Sequence, residues 1–333
     1  MARGFGMDIN EIARRAGVSR ATVSRYLNDG YVSQEKRALI GRIVDETGYV
    51  PSQHAQSLRT GKTHLVGVII SGLNSESVNR MVNGITEVFA HRGYQTILGN
   101  ANNDERLEIE YLGMFSRHSK VDGVILIPTA FTPAHRHAMR GLDVPAVVLG
   151  QELTGYLCVF QDDYRAIYDL TRQVLRTSGH PAYVGVSEND MSAGRMRRRG
   201  FLDACRDADV IPAPGAVLVG DFSIDAGYSC TEQLVQTVPD LDVIVCATDI
   251  IAFGAITCLR EFGHRVPEEI QVTGVGDSLL SSISYPSLTT VHHFYETSGR
   301  EAASMLVDAM TSIVSVPHEL RMGYEIRRRE STR

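Results

Sequence analysis

The sequence predicts a two-part fold: an all-α head carrying a helix-turn-helix, followed by an α/β domain of two lobes, each a parallel sheet flanked by helices. Three observations predict it. Ile12, Ala13 and Ala16 recur at helical spacing before Gly17-Val18-Ser19, and Val23 and Leu27 repeat the pattern after it. From Leu65 onward, short apolar runs alternate with longer amphipathic segments, as in parallel strands covered by helices on both faces. That stretch is about 270 residues long, more than one sheet and its helices usually fill, which favours two lobes.

In the head, the first helix runs from Asn10 to Ala16 with its charged residues opposite the apolar ones. Gly17 supplies the left-handed turn that closes it, Val18 points back to the core, and Ser19 caps the next helix. In that second helix Val23 and Leu27 pack inward and leave Arg20, Ala21, Ser24, Arg25 and Asn28 outside. With Ser19 and Thr22 these are the candidate DNA contacts, since arginine pairs with guanine O6 and N7 in the major groove and small residues touch a thymine methyl. The competing reading is a helical hairpin with a solvated polar face. Asn28-Asp29-Gly30 makes a turn, Ser33 caps a third helix whose buried stripe is Leu39, Ile40, Ile43 and Val44, and Thr47-Gly48 ends it. Pro51 then forbids simple continuation.

The formal charge of -6 is at odds with a DNA reader until the chain is divided. Residues 1–62 hold 10 Lys+Arg against 6 Asp+Glu, net +4, while the rest holds 23 against 33, net -10. Only the basic end should approach phosphates. No apolar run reaches the roughly 18 residues of a membrane span, and the N-terminus lacks the apolar core of a signal peptide, so a cytoplasmic protein without membrane contact is expected. Met7 is an alternative start, because Ala2 to Gly6 lie outside the motif. Cys158, Cys205, Cys230, Cys246 and Cys258 are odd in number and lack CxxC spacing, so they read as buried free thiols.

Three segments carry a resemblance. AxxAGVSxxTVSRxLN spans Ala13 to Asn28, VSxxxRxxI spans Val32 to Ile40, and GYxPSxxAxSLRTGKT spans Gly48 to Thr63. In these the chain resembles the lactose and galactose repressor family. The resemblance implies a DNA-binding domain at 7–50, a hinge at 51–63 and a periplasmic-binding-protein-like effector and dimerisation domain at 64–333. It also implies three crossings between lobes, one lobe at about 64–161 plus 291–318 and the other at about 162–290 plus 319–333. The last crossing would fall near Leu288 to Phe294, with one closing strand near Met322 to Arg327. The hinge would be a helix that pairs with its dimer mate in the minor groove, with Ala55 and Leu58 as contacts. Residues 52–58 favour helix but are too few to be stable alone, as helices under about 12 residues are marginal in water. A flexible linker is the other reading, and both hold if the segment orders only on DNA.

Strands are expected at 64–70, 94–99, 123–128, 146–150, 183–187, 216–221, 243–247 and 271–274. Ligands of such sheets bind beyond the strands' carboxyl ends. Those ends supply Ser71, Ser75, Gln151, Thr248, Asp249 and Asp277, with Phe160 or Phe222 to cover the CH face of a sugar. Polar strand-to-helix loops are common in any case, and Ser75 and Asp249 also read as helix N-caps. Arg197, in the RxxGF pattern at Arg197 to Phe201, matches the family arginine that bonds ligand oxygens. Arg195, Arg198 and Arg199 read as a solvated face. Gly276 and Thr248 stand where many members carry Asp and Asn, which leaves the first carboxylate contact open.

The leading expectation is a homodimeric repressor on a near-palindromic operator, controlled by a small molecule between the lobes, a disaccharide or similar sugar rather than a purine. No leucine heptads follow Arg327-Arg328-Arg329 to join dimers into tetramers. Alternatives are a corepressed regulator of a non-sugar ligand and a sugar-binding transport receptor. No GxSxG, HExxH, paired-cysteine or P-loop pattern occurs, so neither enzyme nor cofactor nor metal is expected. Gly274-Val275-Gly276 lacks the third glycine of a dinucleotide site, and His292-His293 reads as packing.

Overall fold

The computed structural model describes residues 8–49, 62–117, 121–311 and 316–333. The chain divides into two compact units, Met1–His64 and Leu65–Arg333. Ala55 and Leu58 lie outside the described residues.

The first unit holds α1 (Ile9–Arg15), α2 (Arg20–Tyr26) and α3 (Gln34–Thr47). Asp8 caps α1 by accepting from the Glu11 amide, and Gly17 at φ 60° makes the turn that only a residue without Cβ takes freely. Ser19 caps α2, accepting from the Thr22 amide at 3.2 Å. Ile12, Ala13, Ala16, Val23, Ile40 and Ile43 form the core, with Val18, Leu27 and Val44 packed against it. Leu39, expected in the buried stripe, is exposed, at 37%, and the buried residues of α3 are Ile40 and Ile43.

The second unit contains two six-stranded sheets. The first lobe is built from β1 (Leu65–Ile70), α4 (Glu76–His91), β2 (Gln95–Asn100), α5 (Glu105–Arg117), β3 (Gly123–Ile127), α6 (Pro133–Arg140), β4 (Ala146–Leu149) and β5 (Leu157–Gln161). The chain then crosses to α7 (Asp163–Val174), β6 (Pro181–Gly185), α8 (Arg197–Arg206), β7 (Val217–Val219), α9 (Ile224–Thr237), β8 (Val243–Cys246), α10 (Asp249–Glu261), β9 (Gln271–Val275), α11 (Leu279–Ile283) and β10 (Thr289–His293). It returns as α12 (Tyr295–Thr311), which packs on α4, and finishes with β11 (Glu319–Met322) and β12 (Tyr324–Arg327).

Strand order is β11-β5-β4-β3-β1-β2 in one sheet and β12-β10-β9-β8-β6-β7 in the other. Both therefore repeat one doubly wound plan, with a strand from the C-terminal segment added at the edge. Among the described residues every pairing is parallel except β10 with β12. At each of the three crossings a single residue separates the elements: Asp162, Phe294 and Gly323.

Three expectations are corrected. Val291 to His293 belong to the second sheet because β10 continues its parallel ladder from β9, and Glu319 to Met322 belong to the first because β11 covers the open edge of β5. The single closing strand is two strands divided at Gly323. The strand Leu157–Gln161 is absent from the expected set, although its five residues are all buried like those of β3, β6 and β9.

Glycines set the tightest helix contacts. A Cβ on Gly84 of α4 would stand 2.0 Å from the Glu296 carbonyl of α12, and one on Gly299 of α12 would stand 2.1 Å from that of Met81. The second lobe repeats the device, with Gly227 of α9 against Ile251 and Gly254 of α10 against Ile224, both at 2.1 Å. Gly84→Ala and Gly227→Ala should each lower stability by about 1–3 kcal/mol through overpacking. Urea unfolding midpoints check this, and unchanged midpoints would show that the helices part freely.

Candidate functional site

In the head, α2 carries Arg20, Ala21 and Arg25 exposed and Thr22 and Ser24 half-buried, with Val23 inside, and Asn28 is exposed just beyond its C-terminal end. Local bonds fix this face. Ser19 and Thr22 hydroxyls meet at 2.9 Å, Arg25 Nε lies 3.4 Å from the Ala21 carbonyl, and the Asn28 amide donates to the Ser24 carbonyl. The result is a rigid array of guanidinium, methyl and hydroxyl groups at a helix N-terminal end, the form in which a helix reads base edges.

In the second unit the strands' carboxyl ends meet across the lobes. Ser192 donates to the Gly150 carbonyl at 2.7 Å, and Gln151 Nε2 donates to the Thr129 carbonyl at 3.0 Å and lies 3.5 Å from Asp190 Oδ1. Asp190 follows β6 and Gln151 follows β4, so this seam joins the two lobes. Asp190 Oδ1 also accepts from the Ser192 and Ala193 amides, both at 2.9 Å, and so holds the π-helical turn Met191–Met196 that leads into Arg197. Burial pushes the Asp190 carboxyl up to about 6, opposed by those amides and by Arg197. Gln151 is buried, and its Oε1 has no hydrogen-bond partner among the described residues.

Behind the seam, Arg197 is buried and held twice, donating from Nε to Asp163 at 2.6 Å and from Nη1 to the Ala247 carbonyl at 2.5 Å. Burial alone would raise the Asp163 carboxyl, yet Arg197 and His293 hold it at about 2. His293 is fully buried, 3.4 Å from Asp163 but without hydrogen-bond alignment, and burial lowers it.

Asp249 is also buried. It accepts from the Ser278 amide at 2.8 Å and the Thr290 hydroxyl at 2.5 Å, and burial raises it. It is the first residue of α10 and not its cap; Thr248 is the cap. This carboxylate explains Gly274, where a Cβ would sit 2.4 Å from Asp249 Oδ1, whereas Gly276 is required by its own φ of 139°. Asp277 is turned to His292 at 2.8 Å and to Arg329 at 2.5 Å, which hold it low against the effect of burial. Arg80 of the first lobe donates to the Gly276 carbonyl at 2.9 Å, a second link between lobes.

The sequence-predicted residues thus divide. Gln151, Arg197, Thr248, Asp249 and Asp277 lie at carboxyl ends of their sheets, though the two aspartates and Arg197 are already bonded within the protein. Ser71 is buried with its backbone bonded to Ile127 and Asn103, and Ser75 caps α4 by accepting from Val78. Phe160 is buried, in the cluster that also holds Cys158 and Leu126. Phe222 is half exposed on the loop after β7. Sequence reasoning missed Asp163, Asp190 and Ser192; the pair Asp162-Asp163 after an apolar run was the one available signal. Arg198 and Arg199 pair with Glu188 and Asp203, as a solvated face does. Among the described residues no group of metal-binding side chains occurs, and no helix is long and apolar enough to cross a membrane.

Comparison with known proteins bears on the whole chain. Residues 8–52 match the model of bacterial regulatory proteins of the lacI family, and residues 173–332 match the periplasmic binding protein-like domain. The sucrose operon repressor of Staphylococcus xylosus is 32% identical over 301 residues, covering 90% of this chain and 92% of its own. The chain belongs to the lacI family of bacterial regulatory proteins. Among solved structures, the transcriptional regulator CelR in complex with cellobiose is 28% identical, with TM-score 0.75 over 98% of this chain and 99% of that one. The lac repressor dimer bound to operator shares the fold, at TM-score 0.87 and 21% identity over 98% and 99%. As in other members of the lacI family, a helix-turn-helix head and a two-sheet α/β domain occupy one chain.

The raised Asp190 carboxyl gives a stability test. Its folded value of about 6 lies above the ordinary 3.8, so ionising it costs native stability as pH rises through that interval, and none is lost below it. Asp190→Asn should therefore gain about 1–3 kcal/mol at neutral pH, since each tenfold change in an ionisation equilibrium corresponds to about 1.4 kcal/mol, and nothing near pH 4. Urea titrations at both pH values read this; an equal effect at both would remove the assignment.

Proposed function

We propose that this lacI-family regulator is a repressor that binds a near-palindromic operator as a homodimer and responds to a sugar, of disaccharide size, held between its two lobes. The observation that carries the reading is the seam of Gln151, Asp190 and Ser192, where buried polar groups of both lobes converge on one chain with a DNA-reading head. A ligand spanning that seam changes the relative free energy of lobe arrangements by its differential affinity for them, and operator affinity follows by linkage. Binding alone suffices, so no catalytic step, cofactor or metal is invoked, and the protein acts in the cytoplasm. The sucrose and cellobiose in the names of similar proteins support a disaccharide over a purine.

A second copy of the chain fits the surface of the second lobe. Leu279, Leu280, Ile283 and Tyr285, on and just after α11, are 72%, 53%, 69% and 89% exposed, an apolar set that a monomer leaves in water. The head supports the dimer too, since one helix-turn-helix makes too few base contacts for high specificity.

Operator fragments selected from random DNA should bind the chain, and sucrose or cellobiose should change that affinity; the direction of the change in a gel shift distinguishes induction from corepression. A protein that binds no DNA sequence above bulk DNA at moderate salt sinks the proposal. Arg20→Ala should cost about 1–3 kcal/mol of operator affinity and relax base preference at one position of each half-site. Leu280→Asp should shift sedimentation toward the monomer and weaken operator binding together, whereas a dimer unchanged by it rules out this surface.

A further inference from the structure

We infer that the interlobe site takes an uncharged, hydroxyl-rich ligand and rejects its phosphorylated form, with Asp190 the residue that enforces the choice. The inference rests on the proposed sugar-binding site and names the charge class of its ligand.

The groups at the site differ in what they are already committed to. Arg197 is spent on Asp163 and the Ala247 carbonyl, Arg329 on Asp277, and Arg80 on the carbonyls of Gly276 and Asp277. Two carboxylates make no ion pair among the described residues. Asp249 is held by an amide and a hydroxyl, and Asp190 by two backbone amides and the Gln151 side chain. Asp190 and Asp249 follow the carboxyl ends of β6 and β8, adjacent strands, so the two unpaired carboxyls stand at one lip of the site, while Asp277 after β9 is held by Arg329 and His292.

The hydrogen-bonding pattern points the same way. Among the described residues all three bonds to Asp190 fall on Oδ1, and Oδ2 carries none. Gln151 Oε1 is buried without a donor there. Its amide cannot be reversed to supply one, because Nε2 already faces two acceptors, Thr129 O and Asp190 Oδ1. The seam therefore offers acceptors and asks for donors. A sugar hydroxyl gives a proton to such an oxygen. The phosphate group of a sugar ester, carrying about -1.5 to -2 charges at neutral pH, has almost no proton to give and meets a like charge where it faces Asp190 at close range, where screening by water is incomplete. Burial raises Asp190 only to about 6, so at neutral pH it remains ionised.

The test is calorimetric titration of the full chain, at neutral pH, with sucrose and cellobiose and with the monophosphate ester of each. The unphosphorylated sugar should bind at least about tenfold more tightly, one close like-charge contact being worth that much at partial screening. Asp190→Asn should narrow the gap to about threefold or less by admitting the ester, a change that general loss of folding would not produce. Equal or tighter binding of the ester, or a gap that Asp190→Asn leaves intact, overturns the inference. If neither sugar binds in either form, the sugar reading fails by itself. The charge argument is then decided by inorganic phosphate: no saturable rise in Tm supports it, and a saturable rise overturns it.

Discussion

A guanidinium and a carboxylate, both removed from water, hold the central region of the two-sheet unit in one arrangement. Arg197 and Asp163 come from adjacent helices, α8 and α7, and meet at 2.6 Å with almost no exposure on either side. Neither charge is tolerable there alone, since breaking a buried pair from one side costs about 3–5 kcal/mol. Arg197 also grips the carbonyl of Ala247, just before Thr248 and Asp249. One side chain thus ties together the turn that follows β6, the end of β8 and the helix that begins at the first crossing. The polar groups of the seam have fixed positions because this tie is fixed.

Around it the site is organised by unequal burial of like groups. Asp163 is held near 2 by its cation, Asp190 is pushed up to about 6 without one, and Asp249 is raised in an amide-and-hydroxyl cradle. Chemically identical carboxyls thereby take separate parts: one structural anchor, one acceptor facing the seam and one brace between β8, β9 and β10.

The head is legible in the sequence almost residue by residue, because Gly17, Ser19 and Val23 each serve a local requirement that a linear pattern displays. The alternation of strands and helices is legible for the same reason. The lobe boundaries are not. Val291 to His293 and Glu319 to Met322 take their sheet from partners more than a dozen residues away. In the site, Gln151 and Arg197 stand out as polar residues at strand ends or in a motif, whereas Asp163 and Asp190 do not. Their roles depend on burial and on what faces them across the lobes, and neither property is written in neighbouring residues.

The glycine contacts have a mechanical implication. Backbone carbonyls seated where side chains would otherwise be leave α4 with α12, and α9 with α10, no slack for sliding. Each lobe should then behave as a stiff plate, with compliance concentrated in the linking spans after Gln161, His293 and Met322. Two of those spans abut the buried Asp163 and His293. Any movement of one lobe against the other is therefore taken up at a charged pivot rather than dissipated in the sheets.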